Sequence, residues 1–154
     1  RAFHAVVPQL VRAFQPEVIV SQHGCDSHSQ DPLTNLELSV DAQRQAALDI
    51  GQLTKEVCEG RWITCGGGGY NPVHVVPRSW ADMPVSLDIE TPERWRSYVK
   101  ERYNVDAPEK MGDGVDLWWR SWEVGYNPND DVDRTIMATR KEVFPLYGLD
   151  PWFD

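Results

Sequence analysis

Apolar residues recur at helical spacing at the head of the chain. Phe3, Val7, Leu10, Val11 and Phe14 share one side of a 3.6-residue period, so residues 2–14 read as helix. Pro8 either kinks that helix or starts its last turns, and Gln15-Pro16 ends it. The pattern then changes. Glu17-Val18-Ile19-Val20-Ser21-Gln22 is a short β-branched run without alternation, as expected for a strand buried on both faces. A loop follows from Gly24 to about Leu38. Ser39 is placed to cap a second helix, whose Ala46, Ile50, Leu53 and Val57 form one apolar stripe closed by Gly60. Trp62-Ile63-Thr64-Cys65 is a second strand.

Beyond Arg78 a helix is expected through Trp80 and Leu87, with Pro77 in its first turn and Pro84 distorting it. Residues 103–131, rich in Asp, Gly, Pro and Trp, read as a long irregular surface excursion. Asp131 is placed to cap a last helix carrying Ile136, Val143 and Phe144, ended by Pro145. The aromatic ending Leu149-Asp150-Pro151-Trp152-Phe153 is expected to dock back on the body. Strands alternating with helices imply an α/β fold with a parallel sheet and right-handed crossovers. In such sheets ligands sit beyond the carboxyl ends of the strands. Two polar clusters, at residues 21–33 and 66–71, lie at those ends, and Asp26 and Tyr70 would face one crevice if the strands are neighbours.

The 154 residues suffice for one domain with a respectable core. With 15 basic and 24 acidic residues the net charge is −9, which argues against a nucleic-acid surface, since phosphate binding needs clustered Lys and Arg. Cys25, Cys58 and Cys65 are odd in number and lack CxxC spacing, so a reducing, cytoplasmic compartment is expected rather than a disulfide framework. No apolar run is long enough to span a membrane. The chain opens inside an amphipathic pattern without a start signal, which suggests a preceding part of a larger protein.

Gly66-Gly67-Gly68-Gly69-Tyr70 is costly in chain entropy and suits close approach of backbone to a ligand. The four glycines read as serving no packing purpose, and the tyrosine on such a loop can donate a hydrogen bond to a developing oxyanion. Phosphate binding ranks lower, because neither the P-loop ending nor GxGxxG spacing is present. Asp26 is either a turn former or a hard-oxygen metal ligand. His23, Cys25 and His28 add metal-competent groups that match no closed zinc pattern, and on a strand His23 and Cys25 would point away from Asp26. Asp31 before Pro32 is a turn signal first.

The run from Pro16 to Asp26, then Asp31-Pro32-Leu33, then Gly66–Tyr70, resembles the carboxyl-terminal half of histone deacetylase-like proteins. Within that arginase/deacetylase superfamily it is most similar to bacterial acetoin utilization deacetylases of the AcuC type. The likeness runs from the first helix to about Asp88. The segment from 95 onward, with Trp118-Trp119 and Pro151-Trp152, resembles the tails of actinobacterial members more loosely. The resemblance implies a three-layer α-β-α arginase/deacetylase fold, with residues 1–98 as the later part of the catalytic domain and 99–154 as an extension packed on it. It implies a zinc-dependent hydrolase of N-acetyl amides, acting on acetylated lysine in proteins. A small acetylated amine, as in acetylpolyamine amidohydrolases, and a non-catalytic binding domain of the same fold are the alternatives. It further implies that Asp26 is a zinc ligand, that Tyr70 polarises the amide carbonyl and binds the oxyanion, and that Leu33, Gly68 and Gly69 border the acyl channel. By that resemblance, which matches Asp26 to the later zinc-binding aspartate, the family's tandem histidines and Asp-x-His ligand pair have no counterpart, and His4, His23, His28 and His74 are single and wrongly placed for them. The remaining zinc ligands are therefore expected in an upstream half of the same protein, and this chain alone is expected to be inactive.

Overall fold

The computed structural model describes residues 1–81 and 89–154. Helix α1 (Ala2–Phe14) passes through Pro8 and stops at Gln15, whose left-handed backbone returns its N–H to the carbonyl of Val11. Strand β1 (Ile19–Gln22) pairs with β2 (Trp62–Cys65). Ile19 N–H meets the Arg61 carbonyl and His23 N–H meets that of Cys65, so the register advances in one direction and the strands are parallel. Between them runs α2 (Val40–Cys58), capped by the Ser39 hydroxyl on the Ala42 N–H. Gly60 closes it at φ 76°, a conformation suited to glycine. Helices α3 (Val76–Ala81), α4 (Glu93–Tyr103) and α5 (Asp131–Val143) complete the set, with Phe144–Tyr147 a 3-10 turn. The result is a mixed α/β fold, a small parallel sheet flanked by helices.

Several details depart from the sequence pattern. Strand β1 is not buried on both faces: its residues alternate between half-buried and exposed, and Val20 and Ile63 lie open on one side. A parallel strand is buried twice only where helices cover both faces, and here Trp62 packs on α2 at Gly51 while the opposite face is bare. The buried positions of α2 are Val40 and Asp41 in its first turn and then Ala47, Leu53, Thr54 and Cys58, a stripe turned slightly from the expected one. The cap of α5 is Asp130, whose carboxylate accepts from the N–H groups of Val132 and Asp133, one residue before the expected Asp131. Helix α4 has no counterpart in the sequence reading, because Val99 is its one buried residue. Its signal is charge: Glu93 opens it and Lys100 and Arg102 close it, matching the helix dipole. Leu87 and Pro84 lie outside the described residues.

The chain divides into two compact units. One holds residues 1–19, 52–61 and 118–154, where α1 packs on α5 and on the Phe144–Tyr147 turn. Its core is Ala5, Leu53, Cys58, Ile136, Met137 and Phe144. Buried Arg140 donates Nε–H to the Pro151 carbonyl at 2.6 Å and Nη1–H to that of Ala5, which ties the backbone of the ending to α5, while Trp152 stays half exposed and Phe153 projects into solvent. The other unit holds residues 20–51 and 62–117, with Cys25, Val40, Ala47, Val75, Val99 and Met111 buried. Among the described residues, no helix is long and apolar enough to cross a membrane.

Asp133 is fully buried in the first unit. Its carboxylate accepts from Arg1 Nε at 2.6 Å and Nη2 at 2.8 Å, from Arg120 Nη2 at 2.6 Å and from the Asn127 N–H at 2.8 Å. The Arg1 hydrogen bonds, then the Asn127 and Arg120 bonds, outweigh desolvation and hold this carboxyl far below the ordinary value of 3.8. Because the folded value is depressed, the stabilisation is complete above pH 3.8 and is lost as the pH falls below it. Asp133→Asn is expected to cost about 3 kcal/mol, since it leaves buried donors without their charge partner. Urea midpoints followed from about pH 7 to about pH 3 check both points: the variant starts lower and loses less stability in acid.

Candidate active site

The ends of β1 and β2 release two loops that stay in contact. The first, from His23 to Leu38, is closed on itself: Ser29 N–H meets the Leu38 carbonyl and Leu38 N–H meets that of Ser27. Gln43 on α2 adds a side-chain bond to the Ser27 hydroxyl at 2.9 Å. The second loop, Gly66–Tyr70, lies alongside. Cys25 N–H donates to the Gly68 carbonyl at 2.7 Å, and the Asn71 amide donates to the Gln30 carbonyl at 3.2 Å.

The glycines do serve packing, contrary to the expectation: Gly66 and Gly67 are exposed and Gly68 and Gly69 half-buried, but a Cβ on each would meet a neighbour. A Cβ on Gly66 would touch the Trp80 ring at 3.3 Å, and one on Gly67 would fall on the Gln22 side chain. A Cβ on Gly68 would lie 2.7 Å from Asp26 Cγ and closer still to Oδ2, while one on Gly69 would collide with Cys25 Sγ. Missing side chains on one loop make room for side chains of the other. Sequence alone cannot show this, because the partners of Gly67, Gly68 and Gly69 lie some forty residues upstream and that of Gly66 lies downstream on α3.

Asp26 is half-buried, and its carboxylate rests on the bare backbone of Gly68. Its backbone carbonyl accepts from the Thr34 hydroxyl, but the carboxylate has no hydrogen bond or ion pair among the described residues. Tyr70, two residues beyond Gly68, is half exposed and its hydroxyl likewise has no partner among the described residues. Its backbone is fixed: Tyr70 N–H donates to Asp31 Oδ2 at 2.9 Å. The other oxygen of Asp31 accepts the Leu33 N–H at 2.9 Å, the local turn that the sequence suggests. Asp31 is thus a turn former that also ties down Tyr70, and that second role had no sequence signal. Leu33 projects into solvent at 69% exposure.

The other metal-competent groups are committed elsewhere. Strand β1 ends at Gln22, so alternation does not govern residues 23–26. His23 Nε2 pairs with the Ser21 hydroxyl at 2.6 Å, which also accepts the Trp62 indole N–H at 2.7 Å. Burial holds the His23 pKa down, favouring the neutral ring. Cys25 is buried under Gly69, with its thiol pKa pushed up mainly by desolvation. His28 is buried and paired with Asp113. Among the described residues no three His, Cys, Asp or Glu side chains are grouped to hold a metal ion. Asp26 fits such an ion as one hard-oxygen ligand: an unpartnered carboxylate in a fixed cradle at the mouth of the strands. A catalytic zinc takes three ligands from protein, so Asp26 by itself would fill one of three positions.

Two outcomes follow from this packing. Gly67→Ala must swing Gln22 off its bond from the Gly24 N–H and should cost about 1 kcal/mol, whereas Gly68→Ala must displace the shorter, half-buried Asp26 side chain or the loop and should cost roughly 1–3 kcal/mol. Thermal melts of the two variants separate these cases. Asp31→Ala strips two backbone N–H groups of their acceptor and is expected to cost about 1–3 kcal/mol while speeding hydrogen exchange at the Tyr70 amide.

Comparison with known proteins agrees with this geometry. The histone deacetylase domain model matches residues 1–86, which include both strands, Asp26 and Tyr70. The chain is 30% identical over 149 residues to the acetoin utilization protein AcuC of Bacillus subtilis, covering 92% of this chain and 38% of that protein. It is 33% identical over 162 residues to AcuC of Staphylococcus aureus, covering 99% of this chain and again 38% of the relative. The crystal structure of a histone deacetylase homologue from Aquifex aeolicus superposes with a TM-score of 0.59 at 20% identity, over 89% of this chain and 37% of that one. The chain thus spans well under half the length of these relatives. Over the part it does span, the chain belongs to the histone deacetylase domain family.

Proposed function

We infer that this chain supplies part of the active site of a zinc-dependent deacetylase that cleaves N-acetyl amides, with acetylated lysine of proteins as substrate in the manner of the acetoin utilization type. One observation carries the reading: the Asp26 carboxylate is cradled on Gly68, two residues before an anchored Tyr70, and neither carboxylate nor hydroxyl has a partner among the described residues. Family membership and the likeness to AcuC proteins support the reaction class.

In this reading Asp26 is one ligand of the zinc, and the other ligands and the general base come from outside this chain. A zinc ion bound there supplies a Lewis acid for the amide carbonyl and an activated water. The chain's own contribution is electrostatic and steric. Tyr70, held through its N–H by Asp31, swings only its side chain and donates its hydroxyl to the oxygen of the amide as negative charge builds on it. Gly68 and Gly69 let the substrate pass close to the backbone, and exposed Leu33 offers an apolar wall to the acyl-lysine stem.

The test uses the longer protein that carries the complete ligand set, assayed on an acetyl-lysine peptide. Tyr70→Phe is expected to keep its zinc and lose turnover by about 10²–10³-fold, as for loss of one oxyanion donor. Asp26→Ala is expected to lose zinc by elemental analysis. Full activity in the first variant, or full zinc occupancy in the second, would reject the corresponding role.

A further inference from the structure

His28 is the centre of the first loop. Its N–H donates to the Cys25 carbonyl at 3.1 Å, beside Asp26, and its carbonyl accepts the Asp31 N–H at 2.9 Å. Through Asp31 that second bond reaches Tyr70. The ring is fixed as well: Gln30 N–H donates to Nδ1 at 3.0 Å, so Nδ1 is the acceptor and Nε2 carries the proton. Nε2–H then donates to Asp113 Oδ2 at 2.9 Å, from a ring only 2% exposed.

Asp113 comes from the segment expected to be a loose surface excursion, 85 residues along the chain from His28. Its carboxylate is a hub. Oδ2 also accepts the Val40 N–H at 2.7 Å, at the start of α2, and Oδ1 pairs with Arg78 Nη2 of α3 at 2.9 Å. Arg78 is buried and bonds the carbonyls of Met111 and Gly112, while Asp113 N–H donates to Asp41 at 2.9 Å. Five polar contacts therefore pin residues 111–113 to α2 and α3. Two side chains tie that frame to the loop bearing Asp26 and Asp31: Gln43 of α2, which donates to the Cys25 carbonyl at 3.2 Å and the Ser27 hydroxyl at 2.9 Å, and His28, which alone of the two also carries the bond to Asp31.

We propose that Asp113 is a positioning residue for the metal and oxyanion groups: it holds His28, and His28 sets both the Asp26 carboxylate and, through Asp31, the Tyr70 backbone. The proposal rests on the reading of Asp26 as a zinc ligand. It adds that a residue from the tail, remote in sequence and without contact to either group, governs their geometry.

Zinc affinity in the longer protein, read by competition with a chromogenic chelator, tests it, with Asp26→Ala as the standard for a lost ligand. Asp133→Asn is the standard for a fold weakened elsewhere. Asp113→Asn keeps the volume but places an amide where His28, Val40 and Arg78 all donate. It is expected to weaken zinc about tenfold or more, as changes behind metal ligands do, and to shift the visible bands of the cobalt-substituted protein. His28→Asn cuts the same link from the other side and is expected to reproduce both effects, while Asp133→Asn changes neither. In the 154-residue chain itself, Asp113→Asn is expected to speed exchange of the Tyr70 amide about tenfold relative to Asp133→Asn. Wild-type zinc affinity in Asp113→Asn and His28→Asn, with zinc still lost in Asp26→Ala, overturns the proposal and leaves the site reading standing. An equal weakening in Asp133→Asn also overturns it, because the loss then tracks stability. Zinc retained by Asp26→Ala overturns both.

Discussion

A carboxylate and a backbone occupy one small space at the end of the sheet. Asp26 can lie where it does only because Gly68 has no side chain, and Cys25 only because Gly69 has none. This contact fixes the spacing of the two loops, and with it the distance from the candidate ligand to Tyr70 along the second loop. Four glycines in a row cost chain entropy that an ordinary turn would not require. The cost is offset by direct loop-to-loop hydrogen bonds, Cys25 to Gly68 and Tyr70 to Asp31, which no bulkier sequence at 66–69 would permit.

In an acidic chain, individual carboxylates do the long-range joining. Asp133 gathers Arg1, Arg120 and the Asn127 N–H in one unit; Asp113 gathers His28, Val40 and Arg78 in the other. Each is surrounded by more donors than a neutral group could satisfy, so the charge is retained rather than protonated away. Buried ion pairs of this kind add little net stability against an apolar alternative, because desolvation cancels much of the attraction. Their directional geometry places segments far apart in sequence at defined distances, which apolar packing specifies less sharply.

Local pattern was enough for α1, α2, both strands and α5, where apolar period, caps and glycine stops agree. It was also enough to put both polar clusters at strand ends, because a parallel α/β order leaves few other places. It missed α4, whose cue is charge rather than apolar period, and it misjudged β1, since a β-branched run does not reveal whether a second face is covered. Asp31 illustrates the middle case. Its bond to Leu33 is two residues long and readable as a turn; its bond to Tyr70 spans the gap between loops and is not.

What the chain determined by itself was therefore local and chemical: most of its helices, both strands, and two polar clusters, with Asp26 and Tyr70 among them, just beyond the strand ends. The tertiary structure decided their surroundings. It left the Asp26 carboxylate without a hydrogen bond or ion pair among the described residues, gave the glycines their neighbours and brought Asp113 behind His28. The physical reason is range. Backbone propensity and capping act within a few residues, whereas close approach and buried charge pairing depend on residues that meet only after the chain has folded.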